Sequence, residues 1–198
     1  LRPAGKRKFI ILIVVLIVQL VMWLWMNRWL IQVTIAGWPL LALYMSFYAL
    51  AFAWIIRRLS RHRLMMMRPI ALIIAVVWLG LECLRGELLF RGYPWYLLGH
   101  PLIEWPPPAQ SADLLGAYLT SFLAATVAGA VVDFLRWHAR QLAARPMITA
   151  VLIVAALHLL NVGYGAWRLR ETPSDGDELR ILAIQTNLPQ SNKIAWSL

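Results

Sequence analysis

Five long apolar segments constrain this chain more than any other feature of its sequence. They cover residues 9–26, 37–56, 69–89, 113–135 and 147–167. A spanning helix needs about 20 mostly apolar residues, and a helix satisfies its own backbone hydrogen bonds in lipid. The chain is 61% hydrophobic and 14% charged, whereas soluble proteins average about 25% charged residues. We therefore predict a mainly α, polytopic membrane domain over residues 1–167, with about five transmembrane helices.

Basic residues are distributed unevenly among the segments that connect the apolar runs. With the N-terminus placed inside, the inner segments are 1–8, 57–68 and 133–146. They hold 12 of the 19 basic residues and one of the nine acidic residues, Asp133. Because basic loops stay on the cytoplasmic side, the part of the chain after the fifth segment is predicted to lie outside the cytoplasm. The net charge of +10 is thus a topology signal, and without a nucleic-acid-binding motif we expect no nucleic-acid partner.

The third apolar segment ends in a charged cluster that contains Glu82 and Arg85. Trp78, Glu82 and Arg85 follow one another at spacings of four and three, so they share a helical face. Two interpretations remain open. Either Glu82 and Arg85 form a pair at the outer interface, with Arg85 extending to water, or Arg85 binds a lipid phosphate.

An outer region rich in Gly, Pro and Trp follows over residues 90–112. Its Gly92-Tyr93-Pro94-Trp95 is typical of an aromatic membrane belt, or of a rigid aromatic loop beside a lipid-binding site. The consecutive prolines of Trp105-Pro106-Pro107-Pro108 predict extended polyproline geometry rather than helix.

The remaining polar side chains do not form a catalytic set or a metal site. Cys83 lies in an apolar environment with no nearby His, which argues against a nucleophile. His158 and Asn161 are expected to join helices by hydrogen bonds, and Asp133 to pair with Arg136 at the inner interface. No cofactor and no metal are expected.

The end of the chain changes in character. Residues 168–178 have the composition of a linker, and Leu179–Gln185 reads as a largely buried strand that ends before Pro189. We therefore predict that residues 179–198 open a water-facing domain.

Two motifs resemble those of the apolipoprotein N-acyltransferases, a bacterial inner-membrane family. The first is Glu82-Cys83-Leu84-Arg85-Gly86 followed by Gly92-Tyr93-Pro94-Trp95, with Tyr118-x-x-Ser121-Phe122 resembling a further family element. The second resembles the opening of the family's carbon–nitrogen hydrolase (nitrilase-like α/β sandwich) domain. Its residues are Gln185, Asn187, Pro189, Gln190 and Lys193.

The resemblance implies an acyl transfer from a phospholipid, through a Cys thioester, to the N-terminal diacylglyceryl-cysteine of lipoproteins. It places the protein in the bacterial inner membrane, with a periplasmic C-terminal domain, and makes the bilayer, phospholipids and lipoproteins its partners. The family's catalytic Glu, Lys and Cys are expected beyond Leu198, so a polypeptide of these 198 residues is expected to be inactive. Residues expected at the lipid-access site are Glu82, Arg85, Gly92, Tyr93, Pro94 and Trp95.

Two other classes of function fit the sequence to different degrees. The chain could be a non-catalytic or split membrane module that binds lipid or a partner subunit. A transporter or channel is disfavoured, because the sequence has no inverted repeat and no paired broken helices.

Overall fold

The computed structural model describes residues 4–89, 92–171 and 181–184, and its regular structure there is helical. The α-helices are α1 (Ala4–Met26), α2 (Gly37–Ser60), α3 (Arg63–Met66), α4 (Ala71–Cys83), α5 (Pro106–Ala109), α6 (Ala112–Leu115), α7 (Ala117–His138) and α8 (Ala144–Glu171). A five-residue π-helical turn, Leu84–Leu88, continues α4. Two 3-10 helices cover Arg28–Gln32 and His100–Glu104. The prediction of a mainly α fold is confirmed for these residues.

The first of two compact units contains α1 and the part of α2 up to Ala51. No residue of α1 from Phe9 onward is buried, as expected for a helix whose apolar side chains face lipid all round. The connection between the helices is tied by two side chains. Trp38 donates from Nε1 to the carbonyl of Leu24 at 2.8 Å, and the buried Asn27 donates to the carbonyl of Trp23 at 3.0 Å.

The second unit begins at Phe52 and includes α4, α7 and α8. The buried face of α7 is made mainly of small residues, which allow close helix approach in lipid. They include Thr120, Ser121, Ala125, Thr126 and Gly129. A Cβ added at Gly129 would lie 2.6 Å from the Cα of Ala71 in α4, and Ala71 packs in turn with Ala150 and Val154 of α8. Ala130 of α7 packs against the same cluster, so this core joins α4, α7 and α8.

Two polar side chains of α8 connect it to the rest of the unit. His158 Nε2 lies 3.2 Å from the carbonyl oxygen of Leu123, and Asn161 donates to the carbonyl of Pro108 at 3.2 Å. The predicted role of both residues in joining helices is confirmed.

The basic segments 57–68 and 133–146 meet at one end of the second unit. The guanidinium of Arg136 donates to the carbonyls of Met65, Met66 and Arg68 at 3.0 to 3.1 Å. Two segments predicted to lie on the same side of the membrane are therefore in contact.

Asp133 takes part in this contact and also caps the first turn of α4. Its carboxylate is fully buried, pairs with Arg136 at 2.8 Å, and accepts hydrogen bonds from the backbone N–H groups of Ile70 and Ala71 at 2.8 and 2.9 Å. The predicted ion pair is confirmed. The structure adds that Asp133 caps the first turn of a helix other than its own, where unpaired N–H groups need an acceptor.

Four of the described helices are long and apolar enough to cross a membrane. They are Phe9–Met26, Gly37–Ser60, Ala117–His138 and Ala144–Glu171. They correspond to the first, second, fourth and fifth predicted segments. In the third segment α4 has 13 residues before the π-helical turn, a rise of about 20 Å against a hydrocarbon core of roughly 30 Å. A fifth span therefore stays a prediction.

Three local predictions were wrong. Pro106, Pro107 and Pro108 do not form an extended segment but begin α5, because the first turn of a helix needs no N–H donors. The fourth span begins at Ala117 rather than at Asp113, because Gly116 has a φ of +66° and separates α6 from α7. Helix α8 continues through Glu171, four residues into the predicted linker.

The predicted strand at the end of the chain was not found where it can be tested. Residues 181–184 have no regular structure, and Ile181, Leu182 and Ile184 are exposed. A strand needs a neighbour for its backbone hydrogen bonds, and the described residues contain no strand to pair with. The rest of the predicted strand and the motif residues Gln185, Asn187, Pro189, Gln190 and Lys193 lie outside the described residues.

Candidate functional site

The end of α4 and its π-helical turn bury two charged side chains. Glu82 is 3% exposed and Arg85 is 4% exposed. Single π-helical turns within α-helices occur frequently at functional sites. A chain segment of residues 92–99, called here the motif loop, packs against this end of α4.

Glu82 anchors the motif loop to α4. Its Oε1 accepts hydrogen bonds from Trp78 Nε1 at 2.8 Å and from the backbone N–H of Leu98 at 2.7 Å. Its Oε2 is buried and has no hydrogen-bond partner among the described residues. One carboxylate thus joins a helical side chain to the far end of the loop.

Arg85 lies under the beginning and middle of the same loop. Its backbone carbonyl accepts from the N–H of Tyr93 at 2.8 Å, and its Nη2 lies 3.5 Å from the carbonyl of Tyr96. The buried guanidinium does not fit the interpretation in which Arg85 extends to water. The side chain places a positive charge behind the loop.

Two glycines of the motif lie in close contact with neighbouring groups. Gly92 has a φ of +89°, and a Cβ there would collide with the carbonyl oxygen of Gly86. A Cβ at Gly86 would collide with the hydroxyl of Tyr118 in α7. A larger residue at Gly92 would push the loop away from the π-helical turn, whereas a larger residue at Gly86 would displace the Tyr118 side chain.

Helix α7 fixes the other side of the site through two hydrogen bonds. The N–H of Gly99 donates to Ser121 Oγ at 2.9 Å, and the hydroxyl of Tyr118 donates to Glu87 Oε1 at 2.7 Å. The spacing of Tyr118 and Ser121 puts both on one helical face. The loop is therefore tied to α4 at one edge and to α7 at the other.

The surface of the motif loop is aromatic. Trp95 is 59% exposed and Pro94 is exposed. The Tyr93 hydroxyl is buried without a hydrogen-bond partner among the described residues, and burial, followed by Tyr96, raises its pKa against the opposing effect of Arg85. Tyr93 therefore stays neutral, and the loop offers an apolar surface above a buried cation.

The structure thus brings together all six residues that the sequence predicted for a lipid-access site: Glu82, Arg85, Gly92, Tyr93, Pro94 and Trp95. Their contact with lipid stays a prediction. Sequence reasoning missed the roles of Glu87, Tyr118 and Ser121. Tyr118 and Ser121 were recognised as a motif, and their spacing of three was the available signal that both face one neighbour.

No group of three or more His, Cys, Asp or Glu side chains that could hold a metal ion occurs in the described ranges. Cys83 is a partly buried free thiol on the helix that carries Glu82.

Comparison with known proteins gives one family. Residues 2–130 match the description "Apolipoprotein N-acyltransferase N-terminal domain". The chain is 30% identical over 167 residues to the apolipoprotein N-acyltransferase of Geobacter metallireducens, covering 83% of this chain and 30% of that protein. It is 32% identical over 161 residues to the protein of that name from Rhodopirellula baltica, covering 73% and 27%. With the protein of that name from Shewanella oneidensis it shares 30% identity over 164 residues, covering 81% and 29%.

No solved structure was found to match the chain. The chain spans less than a third of the length of the three curated relatives it matches. The matched residues 2–130 include α4, the motif loop and the part of α7 that holds Tyr118 and Ser121. On these grounds the chain belongs to the apolipoprotein N-acyltransferase family.

Proposed function

We propose that the protein containing this chain transfers an acyl chain from a membrane phospholipid to the N-terminal diacylglyceryl-cysteine of lipoproteins. The family supports the reaction class. The geometry of the motif loop is the main support for the role of this domain. Trp95 on this loop is exposed. The loop backbone is held by hydrogen bonds to the buried side chains of Glu82, Arg85 and Ser121.

The reaction proceeds in two steps at a Cys that we expect beyond Leu198. A base takes the proton of the thiol, the thiolate attacks an ester carbonyl of the phospholipid, and a C–S bond forms as the ester C–O bond breaks. The base then gives its proton to the departing lysophospholipid alkoxide. The lipoprotein amine then attacks the thioester, the C–S bond breaks, and an amide forms while the amine proton passes to a base. Dividing the transfer at a good nucleophile lowers each barrier.

The chain described here supplies the membrane side of that reaction. Trp95 packs on the acyl chain or the glycerol region of the lipid, where an exposed indole is favoured at the headgroup level. The positive charge of Arg85 attracts the lipid phosphate, for which a planar guanidinium is well suited. Glu82 holds the loop in place rather than contacting lipid, since its Oε1 is already occupied by Trp78 and Leu98.

Substitutions at Trp95 and Arg85 test this role. In the full-length protein, we expect Trp95→Ala to lower kcat/KM for the phospholipid about tenfold, because the indole would no longer bury apolar surface against the bound lipid. Trp105→Ala is the matched control, because Trp105 is 58% exposed and Trp95 is 59% exposed. We expect Arg85→Ala to lower kcat/KM by more than Arg85→Lys. If Trp95→Ala and Arg85→Ala both acylate lipoprotein at the wild-type rate, the lipid-access role is wrong.

A second measurement addresses the enzyme assignment itself. We expect the 198-residue polypeptide to transfer no labelled acyl chain, and the longest natural polypeptide that contains it to transfer the chain to a lipoprotein. Lipid or partner binding without transfer by that longer polypeptide would support the non-catalytic module instead.

We also propose the orientation in which the basic segments face the bacterial cytoplasm and the motif loop faces the periplasm. It is supported by the contact between segments 57–68 and 133–146, which puts the basic clusters at one end of the unit. In the 198-residue polypeptide with Cys83→Ser, which removes its one cysteine, an impermeant maleimide should label Ile103→Cys in intact spheroplasts and not Met67→Cys. The two positions are 69% and 70% exposed, so the reverse pattern would contradict the orientation.

A further inference from the structure

A surface cavity of ≈ 360 Å³ lies at the opposite end of α4 from the motif loop. It is lined by Met67, Trp137, Arg140 and residues 141–144, which connect α7 to α8. No acidic side chain lines it. Met67 is 70% exposed and Trp137 is 37% exposed, so the cavity can be reached from outside the protein.

Arg140 has an unusual backbone conformation at this cavity. Its φ is +56°, in the left-handed region that glycine normally occupies at the end of a helix. The N–H of Arg140 donates to the carbonyl of Trp137 at 2.9 Å, and the N–H of Gln141 donates to the carbonyl of Arg136 at 2.8 Å. These two bonds form a Schellman motif, for which a glycine at position 140 would be the less strained choice. An arginine at this position therefore lowers the stability of the fold. Its side chain forms no hydrogen bond or ion pair with a described residue that would offset this cost.

The side chain of Arg140 differs in this respect from that of Arg136, one turn earlier. Arg136 donates to three carbonyls and to Asp133. No described residue accepts a hydrogen bond from the Arg140 guanidinium, and Arg140 is an exposed residue that lines the cavity. A cavity lined by both an arginine and a tryptophan, without a carboxylate, suits a phosphate group on an amphipathic molecule.

We propose that this cavity binds the phosphate headgroup of an anionic phospholipid from the leaflet that meets the basic end of the protein. Basic pockets between membrane helices on that side are suited to anionic headgroups, and the neighbouring basic segments raise their local concentration. This site is separate from the motif loop and does not depend on acyl transfer.

Lipid binding by the detergent-purified chain, measured by native mass spectrometry, tests the proposal. Dioleoyl phosphatidylglycerol is titrated against dioleoyl phosphatidylcholine. We expect the wild type to prefer phosphatidylglycerol by about fivefold, the effect of one basic residue near an anionic lipid surface. Arg140→Gly should lose this preference. The matched control is Arg145→Gln, which removes an exposed charge from the nearby first turn of α8 and should keep the preference.

Two further readouts separate the alternatives. Arg140→Gly should melt at the same temperature as the wild type or higher, since it relieves the left-handed strain, so lost binding cannot be assigned to unfolding. An equal loss of preference in Arg145→Gln would show a general charge effect and overturn the proposal, as would an unchanged preference in Arg140→Gly. Millimolar inorganic phosphate should displace little phosphatidylglycerol. Complete displacement would assign the site to free phosphate and overturn its assignment to a lipid.

Discussion

Asp133 offers the sharpest test of how this helical unit is held together. Its carboxylate is fully buried, receives two backbone N–H groups from the start of α4, and pairs with Arg136. Asp133→Ala removes the cap of α4 and leaves Arg136 without its counter-charge. Asp133→Asn keeps one carbonyl oxygen for the α4 N–H groups and removes only the charge.

The expected size of the effect follows from these contacts. Removing one partner of a buried ion pair costs about 3–5 kcal/mol, and losing a helix cap alone costs about 1 kcal/mol. The Arg136 side chain is 14% exposed and keeps three carbonyl acceptors, so its charge is not stranded. We therefore expect a loss of about 3 kcal/mol for Asp133→Ala, which corresponds to roughly 6–12 °C in a chain of this size. For Asp133→Asn we expect about half that loss in free energy.

Thermal unfolding in detergent, followed by circular dichroism, measures the loss. Asp113→Ala is the matched control, because Asp113 also pairs with an arginine at 2.9 Å but its side chain is 37% exposed. Exposed pairs contribute little, so this variant should melt close to the wild type. The double variant with Arg136→Ala should lose less than the sum of the single losses, since both belong to one network. Equal melting of the Asp133→Ala and Asp113→Ala variants, or strict additivity with Arg136→Ala, would refute the proposed clamp.

Two further predictions concern the end of the second unit that carries the motif loop. Gly99→Ala should lower the melting temperature, since its Cβ would lie 2.5 Å from a backbone nitrogen of α7, an overpacking that costs about 1–3 kcal/mol. Gly80→Ala is the control, because no atom lies within 4 Å of its added Cβ, and equal melting of the two variants would contradict the close contact. The hydrogen bond from Tyr164, followed by the contacts of Arg168, lowers the pKa of Asp113. Its contribution to stability is then complete at neutral pH and lost as the pH falls below about 4 through the lowered pKa. Because this ion pair is exposed and contributes little, melting curves between pH 7 and pH 3 should fall only slightly more steeply for the wild type than for Asp113→Asn, and parallel curves would contradict this.

Residues in the membrane segments show why part of the fold could be predicted. A run such as Phe9–Met26 can only be a helix in lipid, whatever its neighbours are, because no water is present to satisfy the backbone. The wrong predictions concern residue types whose effect depends on their position relative to the ends of a helix. Proline excludes a helix interior but not a first turn, so Pro106–Ala109 became helical. Gly116 ended one helix and began another inside a segment whose apolar composition looked continuous.

The candidate site was predictable in its residues and not in its connections. The motif of Glu82, Arg85 and residues 92–95 could be read along the chain, together with its resemblance to a family. The hydrogen bond from Leu98 to Glu82 joins residues 16 positions apart, and the bond from Gly99 to Ser121 joins residues 22 apart. No periodicity within one segment reports such pairs.

Composition, helix length and the charge bias of the loops determine by themselves that this is a helical membrane protein, because these properties depend on the transfer of each segment from water to lipid. The tertiary structure alone decided the rest. Asp133 caps the first turn of a helix that lies more than 60 residues away from it in sequence. The tertiary structure also places the Glu82 carboxylate in a hydrogen bond with the motif loop. It places Arg140 at a backbone position better suited to glycine, where the residue lines a cavity. These outcomes depend on which backbone groups different segments bring into contact, and such contacts exist only after the helices have packed.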